Sequence, residues 1–326
     1  MTSREEASVV TKESYYVITL DVGGTQIKAA AVGDKGKVIR DTVSIHPSKA
    51  SGSKEEILDN LTGIILSTTR LARDQGKCLG VCFAFPGPFD YENGICYIKG
   101  VGKYEALYGV NVRNEVRRSI EENVLSDFVE DFEIFFENDA RLFALGWYVS
   151  NRELQLKRVM FVSLGTGVGS AFIDNGRLVV SGHDVPPGGY VYNLEFEGKT
   201  IEDVFSARGI LSLAKELGLE GMKSVKELSE RARFGDQTAR RLFLHYGRML
   251  GIVLRPIIKN FRADALVIGG QVAKSYDLFL ETLRKTLSSE STDIVIAEDS
   301  YIFTFVGAYN FFMEKRFSGA DYHDDF

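Results

Sequence analysis

The sequence predicts an α/β fold made of two similar domains. Short apolar runs typical of buried strands alternate with segments whose apolar residues recur at helical spacing. The sequence also contains an internal repeat, in which a glycine turn, an apolar strand, an acidic glycine turn and another strand occur twice, beginning at Gly23 and at Leu164. We therefore expect two α/β domains that open with the same unit and face each other.

The composition is that of an ordinary globular protein. The chain has 326 residues, enough for two domains, and 44% of them are hydrophobic and 26% charged. A net charge of -6 argues against a nucleic-acid partner. No apolar run has the length of a membrane span, and the polar N-terminus lacks a signal-peptide core. We expect a cytoplasmic protein with no membrane partner.

The order of these patterns also predicts the domain boundaries. Residues 1–14 are polar and predict a flexible leader, and residues 317–326 predict an acidic tail. Between them we expect an N-terminal α/β domain over residues 15–138 and a C-terminal α/β domain over residues 139–299.

The first half of the chain predicts a hairpin, a helix and a buried strand. The runs YYVITLD and QIKAAAV flank a glycine turn and predict the hairpin, after which KVIRDTVSI predicts a further strand. Apolar positions from Ile57 to Leu71 predict an amphipathic helix over Ser53–Gln75, with Ser53 as N-cap and Glu56 completing a capping box. The run CLGVCFAF predicts a strand that ends at a Pro-Gly-Pro turn.

The second half predicts the same alternation. The run EIFFEND predicts a strand, and a helix starts directly after it. The segment Arg158–Val180 predicts three strands separated by a glycine turn and an Asp-Asn-Gly turn. Helical patterns dominate Ile201–Asn260, and ALVIGGQVA predicts a strand, a Gly-Gly turn and a helix.

The two glycine turns indicate a nucleotide site. Glycine lets the backbone approach phosphate closely and direct its N–H groups at the oxygens. Either turn alone is explained equally well as a hairpin turn, but two such turns, each after a buried strand, are harder to explain in that way. No Walker loop occurs, and a strand rather than a helix follows each turn, which disfavours a Rossmann fingerprint.

Three groups of glycine-rich residues are candidates for contact with the nucleotide. For the third group, Gly269 and Gly270, a tight strand-to-helix turn explains the pattern equally well. The candidates are Gly23, Gly24 and Thr25, then Gly165, Thr166 and Gly167, and finally Gly269 and Gly270.

Two aspartates follow predicted strands and could serve phosphoryl transfer. Asp21 lies beside the first glycine turn and could hold Mg²⁺ directly or through water, although strand termination explains it equally well. Asp139 lies between a strand and a helix and could accept the proton of an alcohol, although helix capping is the commoner role for such an Asp.

The motifs DVGGTQIK, FPGPFDYENG, ENDA, SLGTGVGSAFIDNG, EDVFSARG and VIGGQVA jointly resemble the ROK family, a branch of the actin, hexokinase and Hsp70 ATPase superfamily. The resemblance runs from about Tyr15 to Phe312. It implies two domains of the actin-like ATPase (ribonuclease H-like) fold, with sugar and ATP in the interdomain cleft. It also implies a homodimer and a segment at about residues 300–316 that completes the first domain.

The resemblance also implies roles for single residues. Asn138 and Asp139 resemble the family's sugar-binding Asn and catalytic Asp, which reverses the preference for a capping role at Asp139. Glu202 resembles the glutamate that contacts the sugar near its anomeric hydroxyl. Gly87 and Pro88 resemble the loop that shapes the sugar side of the cleft.

One segment departs from the family pattern. Many members carry a Gly-Glu-x-Gly-His motif and a cysteine cluster, in which the His and three Cys bind zinc and the Glu and His contact the sugar. In this chain Gly189 stands in place of the Glu and Tyr192 in place of the His, and no cysteine follows Cys96. We therefore predict no zinc, and Tyr190, Tyr192 and Asn193 could replace some of the missing sugar contacts.

Together, these features predict transfer of the γ-phosphoryl group of ATP, with Mg²⁺, to a hydroxyl of a hexose, an N-acetylhexosamine or another polyol. A catalytically inactive sugar-binding or regulatory ROK protein stays open, because the family Glu and His are missing. An ATPase that acts on a non-sugar acceptor also stays open. A DNA-binding repressor is not expected, since about 14 residues before the first strand are too few for its winged helix-turn-helix.

Overall fold

The structure is a computed structural model that describes residues 14–298 and 300–317. The chain divides into two compact units. One runs up to Asn138 and resumes at Ala308, and the other comprises Asp139–Gly307. Apart from Ser14 and Phe317, the predicted leader and the predicted acidic tail lie outside the described residues.

Strands and helices alternate along the described chain. The strands are β1 (Tyr15–Val22), β2 (Gln26–Val32), β3 (Ser44–Pro47), β4 (Lys77–Ala84), β5 (Phe89–Asp90), β6 (Ile95–Cys96), β7 (Phe128–Glu137), β8 (Arg158–Leu164), β9 (Val168–Asp174), β10 (Arg177–Leu178), β11 (Glu195–Phe196), β12 (Lys199–Thr200), β13 (Ala265–Gly269) and β14 (Asp293–Ile296). The helices are α1 (Lys54–Ala72), α2 (Val112–Asn123), α3 (Asp139–Ser150), α4 (Ile201–Phe205), α5 (Ala207–Glu216), α6 (Val225–Arg233), α7 (Gln237–Phe261), α8 (Tyr276–Thr286) and α9 (Tyr301–Phe317).

Each unit contains a five-stranded sheet, and the two sheets share one plan. The strand order is β3-β2-β1-β4-β7 in the first unit and β10-β9-β8-β13-β14 in the second. In each sheet an antiparallel hairpin supplies the central strand, and two parallel strands continue the sheet on its other side. The predicted α/β class is confirmed, and the repeated sequence unit forms the same part of both sheets.

Helix α1 shows how the apolar pattern forms the first core. Ile57, Leu61 and Ile65 are fully buried, whereas Leu71, which the pattern placed on the same face, is 58% exposed in the last turn. Ser53 caps the helix as predicted, because its hydroxyl accepts from the Glu56 N–H while the Glu56 carboxylate accepts from the Ser53 N–H. Local spacing therefore fixes this helix, and only its C-terminal turn departs from the prediction.

The prediction of a strand over KVIRDTVSI is wrong for most of its length. Only the end of that segment, from Ser44, forms β3, and residues 40–42 form a 3₁₀ turn. The Thr42 side chain explains why the strand is shorter than predicted. Its hydroxyl accepts the N–H of Ala31 at 2.8 Å and donates to the carbonyl of Ile39 at 2.6 Å. A side-chain acceptor thus takes a donor that a longer strand would have used.

The predicted helix after Gly270 begins later than expected. A 3₁₀ turn over Val272–Ser275 comes first, and α8 starts at Tyr276.

At the chain's end, the C-terminal part of α9 packs within the first unit. The Phe312 ring lies 5.2 Å from the Phe135 ring, and Arg316 bonds the Asp131 carboxylate at 2.7 Å. No helix among the described residues is long and apolar enough to cross a membrane.

Candidate functional site

The first glycine turn forms the tip of the β1–β2 hairpin. The N–H of Gly23 donates to the carbonyl of Gln26 at 3.0 Å and closes the turn. Gly24 and Thr25 lie exposed at its tip. Three of the predicted nucleotide-contacting residues therefore stand together at the end of a buried strand.

The carbonyl groups of this turn are held by other parts of the first unit. The hydroxyl of Tyr104 donates to Gly23 O at 2.7 Å, the hydroxyl of Ser48 donates to Gly24 O at 2.6 Å, and the Ser48 N–H donates to Thr25 O at 3.0 Å. Because a trans peptide is planar, each held carbonyl directs the following N–H the opposite way. In the described part of the chain, the amides of Gly24 and Thr25 donate to no protein acceptor. This turn can therefore bind an anion.

Asp21 lies two residues before the turn, opposite Lys28 in the β1–β2 register. The Lys28 ammonium lies 3.0 Å from one carboxylate oxygen of Asp21, whose side chain is 18% exposed. The other carboxylate oxygen has no protein donor among the residues that the structure describes. Nucleotide-bound Mg²⁺ keeps several waters and needs only one or two carboxylates, so this donor set fits the predicted role of holding Mg²⁺ through water.

The second glycine turn joins β8 to β9 and repeats this arrangement within the second unit. The N–H of Gly165 donates to Gly167 O at 3.0 Å, and the N–H of Ala207, the first residue of α5, donates to Gly165 O at 2.7 Å. The held Gly165 carbonyl directs the Thr166 N–H away from α5. Over residues 14–298 and 300–317, the amides of Thr166 and Gly167 have no protein acceptor.

The third glycine group lies against the second. Gly269 on β13 is opposite Ser163 on β8. Gly270 has φ +89°, and a Cβ on it would lie 2.5 Å from the carbonyl oxygen of Leu164. Both the positive φ and the close approach exclude a side chain at this position. The structure thus brings the predicted groups Gly165–Gly167 and Gly269–Gly270 together.

Two predicted sugar contacts adjoin the second glycine turn. The carboxylate of Glu202 accepts the N–H of Val168 at 3.1 Å, and the Glu202 N–H donates to the Tyr192 carbonyl at 3.0 Å. A Cβ on Gly167 would lie 2.6 Å from a Glu202 carboxylate oxygen, so glycine makes room for this carboxylate. Glu202 therefore links Tyr192, 38% exposed, to a predicted phosphate turn.

The segment that departs from the family pattern is fixed by two residues that the sequence analysis missed. Arg141 on α3, only 6% exposed, donates to the carbonyl of Gly188 and lies over the Tyr190 ring, 4.6 Å from its centroid. The hydroxyl of Ser170 on β9 donates to the carbonyl of Gly189 at 2.7 Å. A basic residue in the otherwise apolar run RLFALGW of α3 was the available signal for Arg141.

In the first unit, Tyr91 connects the other predicted sugar residues. Its hydroxyl lies 3.4 Å from the amide nitrogen of Asn138 and donates to the carbonyl of Phe85 at 3.0 Å. A Cβ on Gly87 would lie 3.2 Å from the same hydroxyl, and Pro88 continues this loop into β5. Tyr91 belongs to the motif FPGPFDYENG but was not singled out from the sequence.

Asp139 is the first residue of α3 and is exposed. One carboxylate oxygen accepts the N–H of Ala140 at 2.8 Å. A usual N-cap would instead accept from an N–H two or three residues further along. The carboxylate is accessible to a hydroxyl group, as a base for an alcohol requires.

A family model described as the ROK family matches residues 17–300. Among curated proteins, the chain is 24% identical to a glucokinase of Halalkalibacterium halodurans over 83% of this chain and 84% of that protein. It is 26% identical to an N-acetyl-D-glucosamine kinase of Mannheimia succiniciproducens, over 82% and 87%. It is 22% identical to a xylose repressor of Caldicellulosiruptor bescii, over 86% and 72%.

Solved structures show the same fold. A ROK hexokinase from Thermus thermophilus superposes with a TM-score of 0.73 at 22% identity, over 92% of this chain and 99% of that one. A ROK family glucokinase from Streptomyces griseus, solved with glucose and AMPPNP, gives a TM-score of 0.66 at 20% identity, over 91% and 98%. These likenesses confirm the predicted actin-like ATPase fold.

Proposed function

Since this chain belongs to the ROK family, we propose that it transfers the γ-phosphoryl group of ATP to a hydroxyl of a hexose or an N-acetylhexosamine. The observation that carries the proposal is the pair of glycine turns, each with carbonyls held by the protein and two amides that have no protein acceptor within the described residues. The glucokinase and the N-acetylglucosamine kinase among its relatives support a sugar as the acceptor.

The donor half of the reaction rests on backbone groups. The amides of Gly24 and Thr25 and those of Thr166 and Gly167 bind phosphate oxygens of the nucleotide. Their directions are set in advance by the held carbonyls, so little reorganisation is needed as charge develops on the transferred group. Asp21 would hold Mg²⁺ through water, and the ion would supply charge neutralisation at the phosphates.

The acceptor half rests on Asp139. Its carboxylate accepts the proton of the sugar hydroxyl while the hydroxyl oxygen forms a bond to the γ-phosphorus and the bond to the ADP oxygen breaks. The proton then passes from Asp139 to solvent. The candidates for orienting the sugar are the groups gathered around Tyr91 and those gathered around Glu202.

The test is ATP turnover against a panel of hexoses and N-acetylhexosamines, with and without Mg²⁺. Asp139→Asn keeps an oxygen that accepts the Ala140 N–H but cannot take the proton, so kcat should fall by about 10²–10⁴-fold while nucleotide binding persists. The matched control is Asp34→Asn, an exposed Asp just after β2, at the end of that strand away from the glycine turn, which should match the parent. Sugar phosphorylation at the parent rate by Asp139→Asn would contradict the base assignment.

The alternative is a catalytically inactive sugar-binding protein. It stays open because Gly189 and Tyr192 stand in place of the family Glu and His. It predicts that a sugar raises the melting temperature while no sugar raises ADP release above background. The homodimer, the cytoplasmic location and the absence of zinc stay predictions. Zinc in a metal analysis of the purified protein would contradict the last of them.

A further inference from the structure

The loop between β6 and α2 places a lysine side chain over the first glycine turn. A Cβ built on Gly24 would lie 3.1 Å from Cδ of Lys103, nearer than any other atom outside the turn's own neighbours. The next residue, Tyr104, is fully buried and bonds the Gly23 carbonyl. Tyr104 thus anchors the loop on the turn and fixes the position from which Lys103 extends.

The charge of Lys103 is not used by the described part of the protein. No carboxylate among those residues lies within ion-pair distance of it, whereas Lys28 in the same unit is paired with Asp21. The Lys103 side chain is also half-buried rather than fully solvated. A half-buried lysine side chain, beside two amides that have no protein acceptor among the described residues, provides a favourable environment for an anion.

We propose that Lys103 is a phosphate-binding residue of the first glycine turn. Its ammonium, two bonds beyond Cδ, pairs with the β- or γ-phosphate oxygens that the amides of Gly24 and Thr25 also bind. This inference rests on the proposed function and adds the side chain that supplies positive charge to a turn otherwise made of backbone donors. A charge-assisted bond of this kind is stronger than one from a neutral donor.

The competing role for Lys103 is packing alone. A lysine can cover apolar or backbone surface with its methylene stem while its ammonium remains in water. Methionine keeps a stem of similar length and loses the charge, so Lys103→Met separates the two roles. Lys103→Arg keeps the charge with a different geometry and should restore part of the binding.

The matched control lies four residues earlier in the same loop. Lys99 is exposed, and its ammonium lies 5.7 Å from the centroid of the Tyr108 ring. Lys99→Met therefore changes the net charge by the same amount without removing a group at the turn. Any difference in KM or Kd between the two variants therefore results from the position of the charge that was removed.

The experiment measures the KM for ATP at saturating sugar and the Kd values of AMP, ADP and a non-hydrolysable ATP analogue. Lys103→Met should raise the KM for ATP and the Kd of the analogue by about tenfold or more, as expected for a lost charge-assisted bond to phosphate. The Kd of AMP and the KM for the sugar should stay within twofold of the parent, and Lys99→Met should match the parent throughout.

Equal values for Lys103→Met and Lys99→Met would overturn the proposal, as would an equal loss for AMP and the analogue. If Lys103→Met fails to fold, Lys103→Gln carries the same prediction. If the parent phosphorylates no sugar, the proposed function fails, and the nucleotide series alone decides on Lys103. A parent that binds no nucleotide overturns both.

Discussion

Replacing Tyr104 with phenylalanine removes one hydroxyl and leaves a buried ring in place. The ring lies 5.4 Å from that of Phe85, and the hydroxyl donates to Gly23 O at 2.7 Å. The Gly23 carbonyl and the Gly24 N–H belong to one planar peptide, so this bond sets the direction of a predicted phosphate donor. Burial raises the pKa of Tyr104, which keeps the hydroxyl protonated as a donor over the ordinary assay range. We expect Tyr104→Phe to weaken both stability and ATP binding.

The magnitude follows from the carbonyl that loses its donor. An unsatisfied buried acceptor costs about 1–3 kcal/mol, and the lower end applies because Gly23 is only half-buried and water can reach it. A loss of about 1 kcal/mol lowers the melting temperature by about 2–4 °C in a unit of this size. If ATP binding weakens by the same energy because the Gly24 N–H is no longer held in place, the KM for ATP rises about fivefold. The KM for the sugar should stay unchanged.

Tyr16→Phe is the matched control. Tyr16 is also fully buried in the first unit, but its hydroxyl has no hydrogen-bond partner within the described residues. Removing that hydroxyl should therefore be neutral or slightly stabilising. The assay is thermal unfolding together with steady-state kinetics in ATP. A Tyr104→Phe protein that unfolds no earlier than Tyr16→Phe and keeps the parent KM for ATP would show that the Tyr104 hydroxyl does not orient the turn.

The remaining predictions concern the turns and one ion pair. Ser48→Ala removes the hydroxyl donor of the Gly24 carbonyl, which is exposed to water, so it should cost only about 0.5–1.5 kcal/mol of unfolding free energy and raise the KM for ATP; a parent-like denaturation midpoint and KM would contradict this. Gly270→Ala places a Cβ 2.5 Å from Leu164 O at positive φ and should cost at least about 2 kcal/mol, and unchanged chemical denaturation would count against it. Arg233 lowers the pKa of Asp277 through a hydrogen bond. The pair therefore stabilises the protein at pH values above the unfolded Asp pKa of about 4, and this stabilisation is lost as pH falls through the lower pKa of the folded state. Arg233→Ala should therefore cost less than about 1 kcal/mol at pH 7, and a difference from the parent that failed to shrink towards pH 3 would refute the linkage.

The sequence predicted those features of the fold that depend on local patterns. The capping box of α1 needs only Ser53 and Glu56, three residues apart, and the structure shows it. The repeated glycine unit predicted that the chain opens each half in the same way, and both sheets have the same strand plan. Apolar runs that end in glycine turns predict their strands because burial and turn geometry both depend on residues that are neighbours in the sequence.

Features that depend on distant residues were not predictable in this way. The Tyr104 hydroxyl bonds Gly23 across 81 positions of sequence, and no periodicity or motif connects the two. Arg141 and the Gly188 carbonyl are separated by 47 positions. The expected strand before β3 failed for a similar reason, because the Thr42 hydroxyl takes a strand N–H 11 residues away. Tertiary hydrogen bonds decide such positions, and a single sequence contains no direct sign of them.

The sequence provides candidate residues for the site but not their arrangement. The glycines at 165–167 and 269–270 were named separately, and the structure places them side by side through the pairing of β8 with β13. Glu202 was named as a sugar contact, and its bond to the Val168 N–H at the second turn was not foreseen. Chemistry at the ends of strands can be inferred from residue type, whereas the partners that orient it require the fold.

The proposed function requires that ATP cleavage be coupled to sugar phosphorylation. The most direct measurement is the stoichiometry of ADP and sugar phosphate formed by the parent protein with Mg²⁺ and each sugar of the panel, with Asp139→Asn alongside. We expect one sugar phosphate for each ADP with at least one hexose or N-acetylhexosamine, and formation of both products about 10²–10⁴-fold slower with Asp139→Asn. ADP release that no sugar accelerates, or that yields no sugar phosphate, would contradict it.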